Sequence, residues 1–152
     1  MGSYRQQISM CKISDVTVKD LSKINKLENQ LNLSKTKLIF FNQMLLNKNF
    51  RFVKLTINEQ IIGILQYSWN KSDCDIISIG IVKKLQKMNY GVKLVEYLKI
   101  LNFKNIYVEV SANNTNAIMF YQRLNFLKIG LRKNYYNKQK CDAILLKLES
   151  LK

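Results

Sequence analysis

The chain has no histidine and no proline, and only five of its 152 residues are glycine. Without histidine, Ser-His-Asp and Cys-His catalysis are excluded, and so are the usual zinc sites. Any general acid or base must then be Glu, Asp, Tyr, Lys or Cys, and no metal is expected. No proline-rich or glycine-serine linker, internal repeat or low-complexity tract divides the chain. Its length suits one domain, residues 1–152, with enough chain to bury a proper core.

Cysteine is scarce too. Cys11, Cys74 and Cys141 are scattered and odd in number, which fits neither a disulfide framework nor a metal-ligand spacing and points to a reducing compartment. No apolar run approaches the roughly 18 residues of a membrane span. The opening residues MGSYRQQ contain no apolar signal segment, and Gln6 stands where N-myristoylation needs Ser or Thr. The expectation is a cytoplasmic protein with no membrane partner.

Acidic residues number ten against 25 basic ones, for a formal net charge of +15. Two explanations compete. One is attraction for an acidic partner. The other is codon bias, since lysine outnumbers arginine 21 to 4 while Asn and Ile each occur 17 times and Ala three times. The cations are spread along the chain with no run of five or six, which argues against nucleic acid as a substrate.

The patterning that is present predicts α/β (α+β) architecture with a mixed, mostly antiparallel sheet of six or seven strands and about four helices. Residues 8–13 read as a first strand. Thr17 and Asp20 have capping-box spacing before a stripe of Leu21, Ile24, Leu27 and Leu31. A second helix is expected over 35–47. RFVKLTI and IIGILQYSW flank Asn58-Glu59-Gln60 as a hairpin with a three-residue loop. DIISIGI (75–81) reads as a strand buried on both faces. The stripe Tyr90, Leu94, Tyr97, Leu98 and Leu101 predicts a helix, and IYVEVS (106–111) the strand after it. Together they form a βαβ unit whose strands should run parallel. Thr115–Leu124 reads as a short helix capped by Asn113 or Asn114, and FLKIGLRKN and DAILLKLE as closing strands.

Two places in this frame could carry chemistry. The loop into the βαβ helix, QKMNYGVKL (86–94), leads to free helix N–H groups and a partial positive charge suited to a pyrophosphate, with Lys83, Lys84 and Lys87 nearby. It could equally be only the polar start of a helix. Glu109 sits mid-strand on the face opposite Ile106, Val108 and Val110, so it is either functional or simply turned to solvent. Tyr121 falls on the apolar stripe of the next helix, where it could be core packing or a working hydroxyl.

Taken together, these segments resemble the GNAT superfamily of N-acetyltransferases, and within it the RimI-type ribosomal-protein alanine N-acetyltransferases. The superfamily's acetyl-CoA loop, Q/R-x-x-G-x-G/A, is similar to Gln86-Lys87-Met88-Asn89-Tyr90-Gly91, with asparagine at the first glycine position. The RimI-like pattern continues through Tyr107-Val108-Glu109-Val110, then Asn114, Ala117, Ile118 and Tyr121, then Leu124-Asn125-Phe126. It ends with Arg132-Lys133-Asn134-Tyr135-Tyr136 and Asp142-Ala143-Ile144. The likeness is strong over about 75–149 and general before that. Asn125 replaces a second family glycine, and the span from Gly91 to Ile106 is a few residues short.

The resemblance implies roles. Backbone groups of Ile79, Gly80 and Ile81 would pair with the pantetheine arm of acetyl-CoA. Lys87, Met88, Asn89, Tyr90, Gly91 and Val92 would cradle its pyrophosphate, and the Asn114 side chain would bond the arm. Glu109 would accept the proton of the attacking amine and Tyr121 would protonate the departing thiolate. Tyr135 and Tyr136 would line a groove for the acceptor, as an alternative to being surface aromatics. Because the family has glycine at position 89, the chain there is expected to be left-handed, a conformation asparagine tolerates better than other non-glycine residues. The implied acceptor is a protein N-terminal amine, the alanine of a small-subunit ribosomal protein. The alternatives are another amine (lysine, polyamine or small molecule) or an idle acetyltransferase fold serving as an RNA- or ribosome-binding module.

Overall fold

A computed structural model describes residues 10–136 and 141–150. The opening stretch MGSYRQQ and the start of the expected first strand, residues 8 and 9, lie outside the described residues, as does the side chain of Tyr136.

The strands are β1 (Cys11–Asp15), β2 (Phe50–Ile57), β3 (Gln60–Asn70), β4 (Asp73–Ile81), β5 (Asn105–Ser111), β6 (Leu127–Tyr136) and β7 (Cys141–Glu149). The helices are α1 (Leu21–Gln30), α2 (Leu38–Leu46), α3 (Tyr90–Ile100) and α4 (Thr115–Arg123). All seven strands form one sheet in the order β1-β2-β3-β4-β5-β7-β6. The expected α/β class, strand number and helix number hold. β4 and β5 pair in parallel around α3, as the βαβ reading required, and every other described neighbour pair is antiparallel.

Each face of the sheet carries its own core. On one face Leu94, Val95 and Leu98 of α3 pack with Tyr121, Phe126 and the Ile106, Val108 and Val110 side of β5. On the other, Leu21, Ile24 and Leu27 of α1 and Phe41 and Met44 of α2 cover Phe50, Phe52 and Ile64. The capping-box reading holds in the 3₁₀ turn Val18–Asp20 that leads into α1, where the Thr17 N–H donates to Asp20 Oδ2 at 2.8 Å. Asp20 also pairs with Lys54 of β2 at 2.7 Å, which ties the helix entry to the sheet.

Three expectations need correction. The hairpin loop has two residues, not three: Asn58 and Glu59 both take positive φ (48° and 67°), and Gln60 already pairs with Ile57. A two-residue turn with both centres left-handed matches the twist of the flanking strands, so it displaces a looser loop. The second correction is that β4 is not buried on both faces, since Asp75 and Ile77 are exposed. Its pairing with β3 skips Ile77, a bulge that turns this side chain out. Lastly, Leu31 and Leu101 of the two helix stripes fall just past the ends of α1 and α3.

Scarce glycine has a visible consequence. Among the described residues no glycine has positive φ; of the nine non-glycine residues that do, six are asparagines: Asn32, Asn58, Asn89, Asn102, Asn125 and Asn134. Asn32, Asn102 and Asn125 follow the C-caps of α1, α3 and α4, where a left-handed residue commonly ends a helix. Asparagine is the non-glycine residue best suited to that region. The substitution at Asn125 is therefore conservative for the backbone.

Candidate acyl-transfer site

The centre of the sheet is parted. β4 and β5 pair only from Asp73↔Asn105 to Ile76↔Val108. Beyond that point Ser78–Ile81 of β4 keeps β3 on one side, and Glu109–Ser111 of β5 keeps β7. The bulge at Ile77 lies where the two strands separate. Val82 N–H donates to Ile62 O at 2.8 Å, so alternation directs Gly80 towards Ile64 of β3 and turns the backbone groups of Ile79 and Ile81 into the gap. A strand edge facing a gap offers donors and acceptors to any extended ligand, and of these groups the Ile81 carbonyl is taken by Gln86 Nε2.

Because β4 and β5 are parallel, the N-termini of α3 and α4 lie at the same end of the sheet, where open α/β sheets place ligands. The approach to α3 turns sharply. Lys87 has φ 62°, and Asn89, the N-cap, has φ 66° and ψ 12°. The left-handed conformation expected at Asn89 is thus present, and the one at Lys87 was not foreseen. A lysine in this region costs roughly 1–2 kcal/mol, so the loop shape is held by its surroundings. Gln86 supplies one such restraint, its Nε2 donating to Ile81 O at 3.0 Å. Helical bonding begins only with Lys93 N–H to Asn89 O at 3.2 Å. Tyr90, Gly91 and Val92 lie within the first turn of α3, whose N–H groups have no intrahelical acceptor. Gly91 has ordinary φ, so it is not there for a bend; a Cβ would come within 3.1 Å of Phe120 Cζ on α4. Glycine lets α3 and α4 approach.

At the α4 end, the Asn114 Oδ1 accepts the Ala117 N–H at 3.1 Å. Its side-chain oxygen caps the helix, which leaves the amide NH₂ as the available donor.

Glu109 and Tyr121 fall on opposite faces of the sheet around the separation point. Glu109 projects on the α1/α2 face, partly exposed, with Oε1 3.1 Å from Arg132 Nη2 of β6. Tyr121 lies in the α3/α4 core at 2% exposure, with Phe120 and Phe126 rings each centred 5.0 Å away. Its hydroxyl has no hydrogen-bond partner among the described residues. An unmet buried hydroxyl costs about 1–3 kcal/mol, so plain packing would favour phenylalanine. Burial also pushes its pKa above the ordinary tyrosine value, which keeps it protonated through the neutral range.

Two residues of the sequence pattern gain a physical role. Arg132 holds the Glu109 carboxylate and lies over the exposed Tyr135 ring, its Cζ 5.5 Å from the centroid. Asp142 Oδ1 accepts the Asn134 N–H at 2.8 Å, which fixes the irregular β6–β7 pairing that places Arg132 and Tyr135. The joint occurrence of Arg132, Asn134 and Asp142 in the sequence pattern signalled these links without showing what they join. Among the described residues no cluster of His, Cys, Asp or Glu is suited to a metal ion. Likewise no described helix is long and apolar enough to cross a membrane.

The family model described as Acetyltransferase (GNAT) family matches residues 18–126, and the chain belongs to that family of N-acetyltransferases. The chain is similar to the [Ribosomal protein bS18]-alanine N-acetyltransferase of Haemophilus influenzae, 27% identical over 135 residues, or 85% of this chain and 90% of that one. It is also similar to N-alpha-acetyltransferase 50 of Danio rerio, 31% identical over 88 residues. That match spans 54% of this chain and about half, 52%, of the Danio rerio enzyme's length. The crystal structure of the ribosomal-protein-S18-alanine N-acetyltransferase from Escherichia coli has the same fold, with TM-score 0.80 at 22% identity, covering 94% of this chain and 96% of that one.

Proposed function

We propose that the protein transfers an acetyl group from acetyl-CoA to the α-amine of a protein N-terminus, with the N-terminal alanine of a small-subunit ribosomal protein as the leading acceptor. The observation that carries this reading is the parted pair β4/β5 with a carboxylate on one face and an unpartnered tyrosine hydroxyl on the other. The acceptor assignment draws support from the Haemophilus influenzae relative.

The residues present fit the coenzyme. The gap edge at Ile79 and Ile81 suits an amide-bearing arm, the turn from Lys87 to Val92 suits a pyrophosphate, and the Asn114 amide suits a carbonyl of the arm. When bound, acetyl-CoA supplies an acetyl thioester. Glu109 takes the proton of the amine that attacks from its face, directly or through a water. The Ile81 N–H, turned into the gap, can stabilise negative charge developing on the carbonyl oxygen. Tyr121 would give its proton to the departing thiolate on the face opposite Glu109.

Acid–base numbers favour an α-amine. With a pKa near 8, roughly a quarter of it is neutral at about pH 7.4, against about a thousandth of a lysine amine. Deprotonation is therefore about two decades less costly for the α-amine. The net charge of +15 also repels polycations, which counts against polyamines. The same charge supports the other reading, an RNA- or ribosome-binding module without turnover, which would show salt-sensitive RNA binding and no acetyl transfer. The experiment is release of CoA thiol with peptides beginning Ala, Ser, Met or acetyl-Ala, and with spermidine. Turnover on Ala- or Ser-first peptides and none on acetyl-Ala supports the proposal; turnover confined to spermidine, or none at all, removes it.

Asn89 gives a test of the coenzyme loop. Asn89→Gly should bind CoA as well as wild type or slightly better. Asn89→Val, β-branched at φ 66°, should bind it about tenfold or more weakly in isothermal titration. Wild-type affinity in the valine variant would mean that the loop does not hold the coenzyme.

A further inference from the structure

Glu28 is the most deeply buried acidic side chain described, at 1% exposure, and it takes no part in the acyl-transfer arrangement. It lies on the last turn of α1, and none of the described ion pairs includes it. Both its oxygens serve one residue. Oε2 accepts the Thr36 N–H at 2.8 Å, and Oε1 accepts the Thr36 hydroxyl at 2.6 Å. The Thr36 oxygen in turn accepts from Gln66 Nε2 of β3 at 3.1 Å. Burying a carboxylate without a cation is costly, and a carboxylate used only to pack a helix end would be replaced cheaply by an apolar residue.

What the three residues fix is the short irregular segment between α1 and α2. Asn32 (φ 54°) reverses the chain, Leu33 N–H bonds Glu28 O at 2.8 Å, and Thr36 closes the segment onto the same glutamate. The two leucines of the segment thereby reach β4. A Cβ on Gly80 would lie 2.6 Å from Leu31 Cδ1 and 3.1 Å from Leu33 Cδ1, so both leucine ends rest directly on this glycine and a larger residue would displace them. Gly80, Gln66 and Glu109 all face the α1/α2 side of the sheet. That is the side from which an amine delivered to Glu109 must approach.

We propose that Glu28, through Thr36 and Gln66, is a positioning residue that holds Leu31 and Leu33 over Gly80 as a fixed apolar wall on the acceptor side, so that the site prefers a small, uncharged first residue. The proposal rests on the reading of the protein as an N-terminal acetyltransferase. A leucine wall disfavours a charged first side chain by desolvation and a large one by overlap. Its selectivity depends on the segment being unable to retreat, which the buried network ensures.

The experiment measures steady-state kinetics with peptides beginning Ala and Leu, beside CoA affinity by titration and a thermal melt. Thr36→Val keeps the shape and the N–H but removes the hydroxyl link. It should raise KM for the Ala-first peptide about tenfold, with kcat, acetyl-CoA KM and CoA affinity within about twofold of wild type. Thr36→Ser should restore wild-type values. Leu33→Ala, which leaves the network intact, should narrow the Ala-over-Leu preference in kcat/KM by about tenfold. A Thr36→Val variant that folds and changes none of these parameters, or that changes all of them alike, overturns the positioning role. So does an unchanged preference in Leu33→Ala, which decides the matter if the valine variant does not fold. Should the wild type acetylate no peptide, the underlying functional reading fails instead, and that result is distinct from both.

Discussion

Glu109→Gln is expected to lower kcat about a hundredfold near pH 7, some 2.7 kcal/mol of barrier, and to lose much of that deficit by about pH 9. Glutamine keeps the size of the side chain and can still accept a hydrogen bond from Arg132, so the fold and coenzyme affinity should be unaffected. What it removes is the proton acceptor on the acceptor face. Around pH 7 most of a peptide α-amine is protonated and needs that acceptor, whereas at about pH 9 most is already neutral. The wild-type and variant pH–rate profiles should therefore converge as pH rises. Parallel profiles over about pH 6.5–9.5 would mean that Glu109 does not take the proton.

Tyr121→Phe should reduce kcat by about ten- to a hundredfold while leaving CoA affinity within about twofold. The side chain is enclosed by Phe120 and Phe126, so phenylalanine fits the same space. Because the hydroxyl meets no partner among the described residues, its removal should raise thermal stability slightly or leave it level. A loss of turnover without a loss of stability is the signature of a working hydroxyl. Burial raises the Tyr121 pKa, so its ionisation should cause no fall in activity until pH exceeds the ordinary tyrosine value near 10. Normal turnover in the phenylalanine variant would return Tyr121 to core packing.

The sequence made the frame of this site legible because its signals are local. The capping pair Thr17 and Asp20, the stripe from Tyr90 to Leu98 and the alternation around Glu109 each depend on neighbours a few residues away. The left-handed turn at Asn89 was readable for the same reason, once asparagine was seen to occupy a glycine position. The parting of β4 from β5 was not readable. It depends on where the pairing with β3 skips Ile77, and a bulge leaves little mark on a run of isoleucines. The reading of DIISIGI as buried on both faces failed there.

Links across the chain were hidden too. Nothing near Glu28 in sequence predicts that its carboxylate meets Thr36, eight residues on, and through it Gln66 of β3. Arg132 was visible as part of a pattern, but its partner Glu109 lies two strands away across β7. Gly91 makes room for Phe120, a contact between helices that only the packed structure supplies.

The central claim is that the parted strands deliver an acetyl group to an α-amine. The direct measurement uses a peptide that begins with alanine and contains one internal lysine, incubated with the protein and acetyl-CoA and sequenced by tandem mass spectrometry. The account predicts a single acetyl group on the alanine α-nitrogen, formed only with the protein present and at a rate reduced in Glu109→Gln. Acetylation confined to the lysine side chain, or no acetylation above the protein-free background, would contradict it.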